Sequence, residues 1–317
     1  MKVYNETVEG STDLAGLLAA SRAKRAFDPA GYVAQKAALI NDYFATSRLK
    51  AAVVAVSGGV DSAVALALTA AAKSQPGSSI REIVPLLLPA LGTDGATNQD
   101  DATRQGTDIC EQLGLTPRIF PHLTKLVETI SGGLDDILDV HSTPWSRGQL
   151  VAYARTPVIY NTASILTDNG LPALVIGTTN LSEGGYLGYV GKASDGLVDL
   201  QVISDLYKAQ VYQVAEYLNV PASILNAVPT GDMYDGRNDE AVFGVSYDFV
   251  ELYHEWLRGR VDVDESDPAW IAGRENLEHL HRYNAHKYLV GSPSIHLDVE
   301  RIDIPGGWHN TPWRKGA

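Results

Sequence analysis

The 317-residue chain is 45% hydrophobic and carries 38 acidic against 25 basic residues, a formal net charge of −13. That length suits one large or two small domains with a sizeable core, and the acidic balance repels phosphate backbones and anionic bilayers, so no nucleic-acid or membrane partner is expected. No apolar run approaches the roughly 20 residues needed to cross a bilayer, and the first thirty residues lack the basic-then-apolar order of a signal peptide. The single cysteine, Cys110, can form no internal disulfide and falls on the apolar side of a helical pattern. A cytoplasmic protein with a structural thiol is the expectation.

Residues 1–45 read as an N-terminal helical segment, in which Asp28-Pro29 supplies a cap and a first-turn proline ahead of YVAQKAALINDYF. AAVVAV (51–56) is short, β-branched and apolar throughout, the pattern of a strand covered on both faces. A glycine turn, SGGVDS, hands it to the helix former AVALALTAAAK. The alternation repeats: IVPLLLP (83–89) is a second strand, DDATRQGTDICEQLGL a helix ended by Gly114, and TPRIFPHL a third strand. QLVAYARTPVIYNTASILTDNG then reads as one long helix and PALVIGTTN (172–180) as a fourth strand. Strands alternating with helices predict a three-layer α/β fold, a doubly wound parallel sheet with helices on both faces. No repeat or linker divides residues 46–290, and 291–317 reads as an extended C-terminal tail.

Ser57-Gly58-Gly59-Val60-Asp61-Ser62 sits where a buried strand meets a helix, at the strand end where open α/β sheets bind ligands. Adjacent glycines let backbone approach an anion, and the free N–H groups opening the helix favour negative charge. A carboxylate there, Asp61, makes sense beside phosphates when a cation is shared between them. Neither GxxxxGK[ST] nor GxGxxG is present. The bland alternative is a tight turn with Ser62 as an incidental cap.

The six residues resemble the pyrophosphate loop of N-type ATP pyrophosphatases, a Rossmann-like class whose members activate a carboxylate or a base oxygen as its adenylate. The following segment, VIGTTNLSEGGYLGYVGKASDGLVDLQVISDLYKAQV, resembles NAD+ synthetases in residue type, order and spacing. That resemblance covers roughly residues 30–290. It implies ATP contacts from Ser57, Gly58, Gly59, Val60, Asp61, Ser62, Thr178, Lys208 and Thr230, with Asp61 and Lys208 as the catalytic pair and Mg2+ held by Asp61 and Glu183. It implies a deamido-NAD site from Arg155, Lys192, Asp199, His286 and Lys287. The reaction implied is ATP-dependent amidation of deamido-NAD by ammonia through an acyl-adenylate, in a homodimer. Read singly, Glu183 simply favours a helix start and Lys208 a solvated surface.

Glutamine-using members carry an amidase domain with a catalytic cysteine ahead of the synthetase. About 50 residues precede the loop here, none of them cysteine, so free ammonia, or ammonia from a separate partner, is the expected donor. Four departures fall mainly on the acid-substrate side. Pro157 stands for the second arginine of ARxRM, Val151 for the asparagine before it, Gly231 for the alanine of PTADL, and GTTN (177–180) for the GTDH of many members. They keep open a paralogue that amidates another acid, and a non-catalytic adenine-nucleotide-binding protein is the rival from a different class.

Overall fold

The computed structural model describes residues 12–90, 99–231, 236–288, 294–300 and 302–307. Helices α1 (Thr12–Arg25) and α2 (Pro29–Thr46) precede β1 (Ala51–Ala55) and α3 (Val60–Lys73). Then come β2 (Glu82–Leu87), α4 (Gln99–Gln112), β3 (Arg118–Ile119), α5 (Leu123–Leu138), α6 (Pro144–Asp168), β4 (Ala173–Gly177) and α7 (Leu181–Gly184). The chain continues through β5 (Leu200–Gln201), α8 (Lys208–Tyr217), α9 (Ala222–Leu225), α10 (Asp239–Phe243), α11 (Tyr247–Leu257), α12 (Pro268–Tyr283), α13 (Ala285–Tyr288) and β6 (Ile295–His296).

The sheet runs β3-β2-β1-β4-β5-β6 with every neighbouring pair parallel, the doubly wound arrangement expected. Alternation along β1 divides the core. Ala52 and Val54 pack with α2, α3, α4 and α8 on one face, whereas Val53 packs with α5 and α6 on the other. Cys110 belongs to the first of these cores; burial pushes its thiol up to about 11, as befits a structural residue. A third apolar cluster joins α1, α7, α11 and α12.

Several boundaries differ from the sequence expectation for local reasons. The long helix begins earlier, at Pro144, because Thr143 accepts a hydrogen bond from Ser146 N and proline suits the first turn. Asp28 caps α2 as expected, accepting from Ala30 N and Gly31 N. The third strand shrinks to the exposed pair Arg118–Ile119 at the sheet edge. Helix α5 was not foreseen, since Gly132 and Gly133 interrupt an otherwise amphipathic run.

Ile295–His296, inside the stretch expected as a tail, pairs with β5 as the sixth strand; residues 308–317 of that tail lie outside the described residues. What fixes this segment is a buried ion pair. Lys36 Nζ of α2 lies 2.9 Å from Asp205 Oδ1 and also donates to the Leu297 carbonyl. Asp205 further accepts from Tyr32 OH at 2.7 Å and Val299 N at 2.8 Å. At the other end, Arg22 of α1 binds Asp248 and Glu251 of α11, both at 2.6 Å.

Because Lys36 is fully buried, removing it strands the Asp205 charge. Lys36→Met is expected to cost about 3–5 kcal/mol in urea unfolding. A loss below about 1 kcal/mol, the range of an exposed pair, would contradict this account of how the C-terminal segment is held.

Candidate active site

The order of strands reverses direction between β1 and β4, and the loops leaving their carboxyl ends face each other across a cleft. Ser57, Asp61 and Ser62 line it from the first loop, Thr178, Thr179 and Glu183 from the second, and Arg155 and Tyr160 from α6. Thr230 closes one side.

The first loop is shaped by its own bonds. Gly58 adopts φ +87, and a Cβ there would lie 2.3 Å from the Ala102 carbonyl oxygen, so only glycine fits. Ser57 N donates to Ser62 Oγ at 3.2 Å, Ser62 Oγ donates to Gly59 O at 3.0 Å, and Gly59 N donates to Ser57 Oγ at 3.3 Å. Both hydroxyls thus brace the loop. The Val60 side chain packs into the core, leaving its backbone as the part available to a ligand. No side chain caps the amides that open α3, and Asp61 and Ser62 of its first turn line the cleft, an arrangement suited to phosphate.

Lys208, at the first position of α8, is 2% exposed. Its ammonium lies 2.7 Å from Asp61 Oδ2 and 2.8 Å from Glu183 Oε1, and 4.8 Å from the centre of the Tyr247 ring. Tyr247 OH is 2.7 Å from Glu183 Oε1 and 2.8 Å from Asp239 Oδ2, while Tyr189 OH donates to Asp239 Oδ1 at 3.1 Å. Three carboxylates therefore share one ammonium, and the charges do not balance.

The acid–base properties follow. Burial pushes the Glu183 carboxyl up to about 7, Lys208 opposes that rise, and Asp61 and Asp239 add to it. Burial would lower the Lys208 ammonium, but Asp61, Glu183 and Asp239 outweigh it and hold the group above its usual range. The excess of acid over base, offered entirely through oxygen donors, fits a hard cation with phosphate oxygens completing its shell. Among the described residues no cluster of three or more metal-binding side chains forms; Asp61 and Glu183 are the pair of cleft-lining carboxylates that could share such a cation.

The residues expected to hold the acid substrate are less gathered. Arg155 lines the cleft, but Lys192 and Lys287 donate to the backbone carbonyls of His286 and Gly188. Asp199 accepts from Val175 N at 2.8 Å and Tyr160 OH at 3.2 Å, an arrangement that ties β4 to α6. Burial, with the Asp199 charge, pushes the Tyr160 hydroxyl up to about 12. Sequence reasoning did not single out Tyr247, Asp239 or Tyr189, and met Asn180 only as part of the GTTN departure.

The NAD synthase family matches residues 32–288. The NH3-dependent NAD+ synthetase of Methanoregula boonei is 31% identical over 247 residues, covering 77% of this chain and 88% of that protein. Among solved structures, the NMN synthetase of Francisella tularensis superposes with a TM-score of 0.67 at 25% identity, covering 82% of this chain and 96% of that one. The NH3-dependent NAD synthetase of Campylobacter jejuni gives a TM-score of 0.61 at 23% identity over the same shares, a likeness of fold. The switch-point cleft with its pyrophosphate-type loop, and a match over most of the chain's length, lead to one conclusion: the chain belongs to the NAD synthase family.

Proposed function

We propose that this chain joins ammonia to the nicotinate carboxylate of deamido-NAD at the expense of ATP, giving NAD+, AMP and pyrophosphate. The observation that carries the reading is the Lys208 ammonium held between Asp61 and Glu183 at the mouth of the phosphate-binding turn.

In this reading the triphosphate lies on the amides that follow Gly58, with Thr178 and Thr230 flanking the nucleotide. The acid's carboxylate oxygen attacks the α-phosphorus and the bond to pyrophosphate breaks. Lys208 neutralises charge developing on the leaving group, where a preorganised cation in a buried site acts most strongly. Mg2+ held by Asp61 and Glu183 with the phosphates would supply further neutralisation there. Ammonia then attacks the acyl carbon, the bond to the AMP oxygen breaks, and a proton is released. The chain positions reactants and needs no covalent nucleophile, consistent with the buried thiol of Cys110.

The cationic Arg155 lines the cleft beyond the phosphate turn and suits the acid substrate's phosphates. Lys192, Asp199, His286 and Lys287 remain the further residues that the family resemblance offers to the acid, although Lys192, Asp199 and Lys287 are engaged within the chain here. The likeness to an NMN synthetase makes nicotinate mononucleotide the second acid to test. A homodimer is supported by exposed apolar residues on α5 and α6 and the turn between them, among them Ile137 at 79%, Leu138 at 62%, Val140 at 56% and Trp145 at 51%.

Purified chain supplied with ATP, Mg2+, ammonium and deamido-NAD is expected to form NAD+ and AMP in equal amounts, and glutamine is expected not to replace ammonium. Faster turnover of nicotinate mononucleotide would transfer the assignment to that acid, and AMP formation with neither acid would refute it.

Arg155→Ala is expected to weaken use of the acid by about 10- to 150-fold, the value of a lost charge-assisted contact, with the ATP requirement nearly unchanged. Lys208→Met is expected to slow pyrophosphate release itself. An unaltered acid requirement in Arg155→Ala would show that the substrate site lies elsewhere.

The chain is expected to sediment as a dimer. A monomer at micromolar concentration would contradict the role given to the α5–α6 face.

A further inference from the structure

Between the two acids that flank Lys208 lies Asn180, fully buried and outside every role assigned above. Its Nδ2 donates to Asp61 Oδ1 at 2.8 Å, and its Oδ1 accepts from Glu183 N at 3.1 Å as the cap of α7. We propose that Asn180 is a positioning residue that sets Asp61 against Glu183, and so fixes the spacing of the cation-holding pair. The inference rests on the ATP-dependent reading of the same site.

The bonding admits one orientation of the amide. Reversed, its oxygen would face the Asp61 carboxylate and its NH2 would face the Glu183 N–H, two repulsions in place of two bonds. Asp61 is consequently held at both oxygens, Oδ1 by Asn180 and Oδ2 by Lys208. Glu183 is held at its backbone by Asn180 and at Oε1 by Lys208 and Tyr247. Without the amide, Asp61 would keep only its bond to Lys208. Two like charges in a low-dielectric site then move apart. Asn180 also bridges elements distant in sequence, since Asp61 opens α3 after β1 whereas Glu183 lies in α7 after β4. One side chain thereby couples the two halves of the switch point. The position is also one of the departures noted in the sequence, where GTTN stands for the GTDH of many members.

Asn180→Ser and Asn180→Asp separate the two bonds. Each keeps an oxygen able to cap Glu183 N, and neither keeps an amide donor for Asp61. ATP binding is measured by calorimetry with and without Mg2+, together with acid-dependent pyrophosphate release and the thermal midpoint. In both variants the Mg2+-dependent gain in ATP affinity and the release rate are expected to fall about tenfold or more. Asn180→Asp should fall further, because a second carboxylate then faces Asp61. Mg2+-free ATP binding and the midpoint are expected to stay near wild type in Asn180→Ser, whereas Asn180→Asp lowers the midpoint because two buried carboxylates then meet. A wild-type Mg2+-dependent gain in either variant overturns the inference. So does a lowered midpoint with that gain intact, which would mark a purely structural cap. Should Asn180→Ser not fold, the isosteric Asn180→Asp carries the test; failure of both to fold also overturns the positioning role. If instead the wild-type chain showed no Mg2+-dependent ATP binding, the functional reading would fall, not the role of Asn180.

Discussion

The structure turns on one buried ammonium shared by too many acids. Lys208 faces Asp61 and Glu183 directly, and Asp239 through Tyr247, with the ammonium, the tyrosine and Asp239 all buried. Such a cluster retains excess negative charge that the protein relieves only in part, by raising the Glu183 carboxyl to about 7 and by donating tyrosine hydroxyls. In the proposed reaction a cation accompanied by phosphate would complete what the chain leaves unbalanced. The local arrangement is therefore poised for ligand more than for stability.

Holding these groups at hydrogen-bond distance requires the surrounding fold. Asp61 rides on the helix after β1, Glu183 on the turn after β4, and Lys208 on the helix after β5, so three adjacent parallel strands aim three charges at one point. The reverse side is tied down by a second buried charge pair. Asp205, three residues before Lys208, takes Lys36 from α2 and Val299 from the C-terminal segment. One ion pair thus anchors the approach to α8, while the other shapes the mouth of the cleft.

Much of this was legible in the sequence, and the reasons for the gaps are physical. The SGGVDS turn declared itself because a positive φ at Gly58 and its contact with Ala102 admit no other residue. β1, β2 and β4 were found because both faces are buried and the residues are apolar throughout. β5 and β6 are two residues each, too short for any periodicity to register. Lys208 and Glu183 could be paired by resemblance, but Tyr247 and Asp239 meet them only through tertiary packing. Asp199, read as a substrate contact, is engaged by Val175 and Tyr160, a backbone partnership that spacing along the chain does not encode.

If the cleft activates a carboxylate by transferring AMP to it, one oxygen of that carboxylate must end on AMP. The direct measurement uses deamido-NAD carrying 18O in both nicotinate carboxylate oxygens, with ATP, Mg2+ and ammonium, and mass analysis of the products. The account predicts AMP with one labelled oxygen and unlabelled pyrophosphate, the other label remaining in the amide of NAD+. Label in inorganic phosphate, accompanied by ADP, would mean attack at the terminal phosphorus and would contradict the adenylation chemistry assigned to this site.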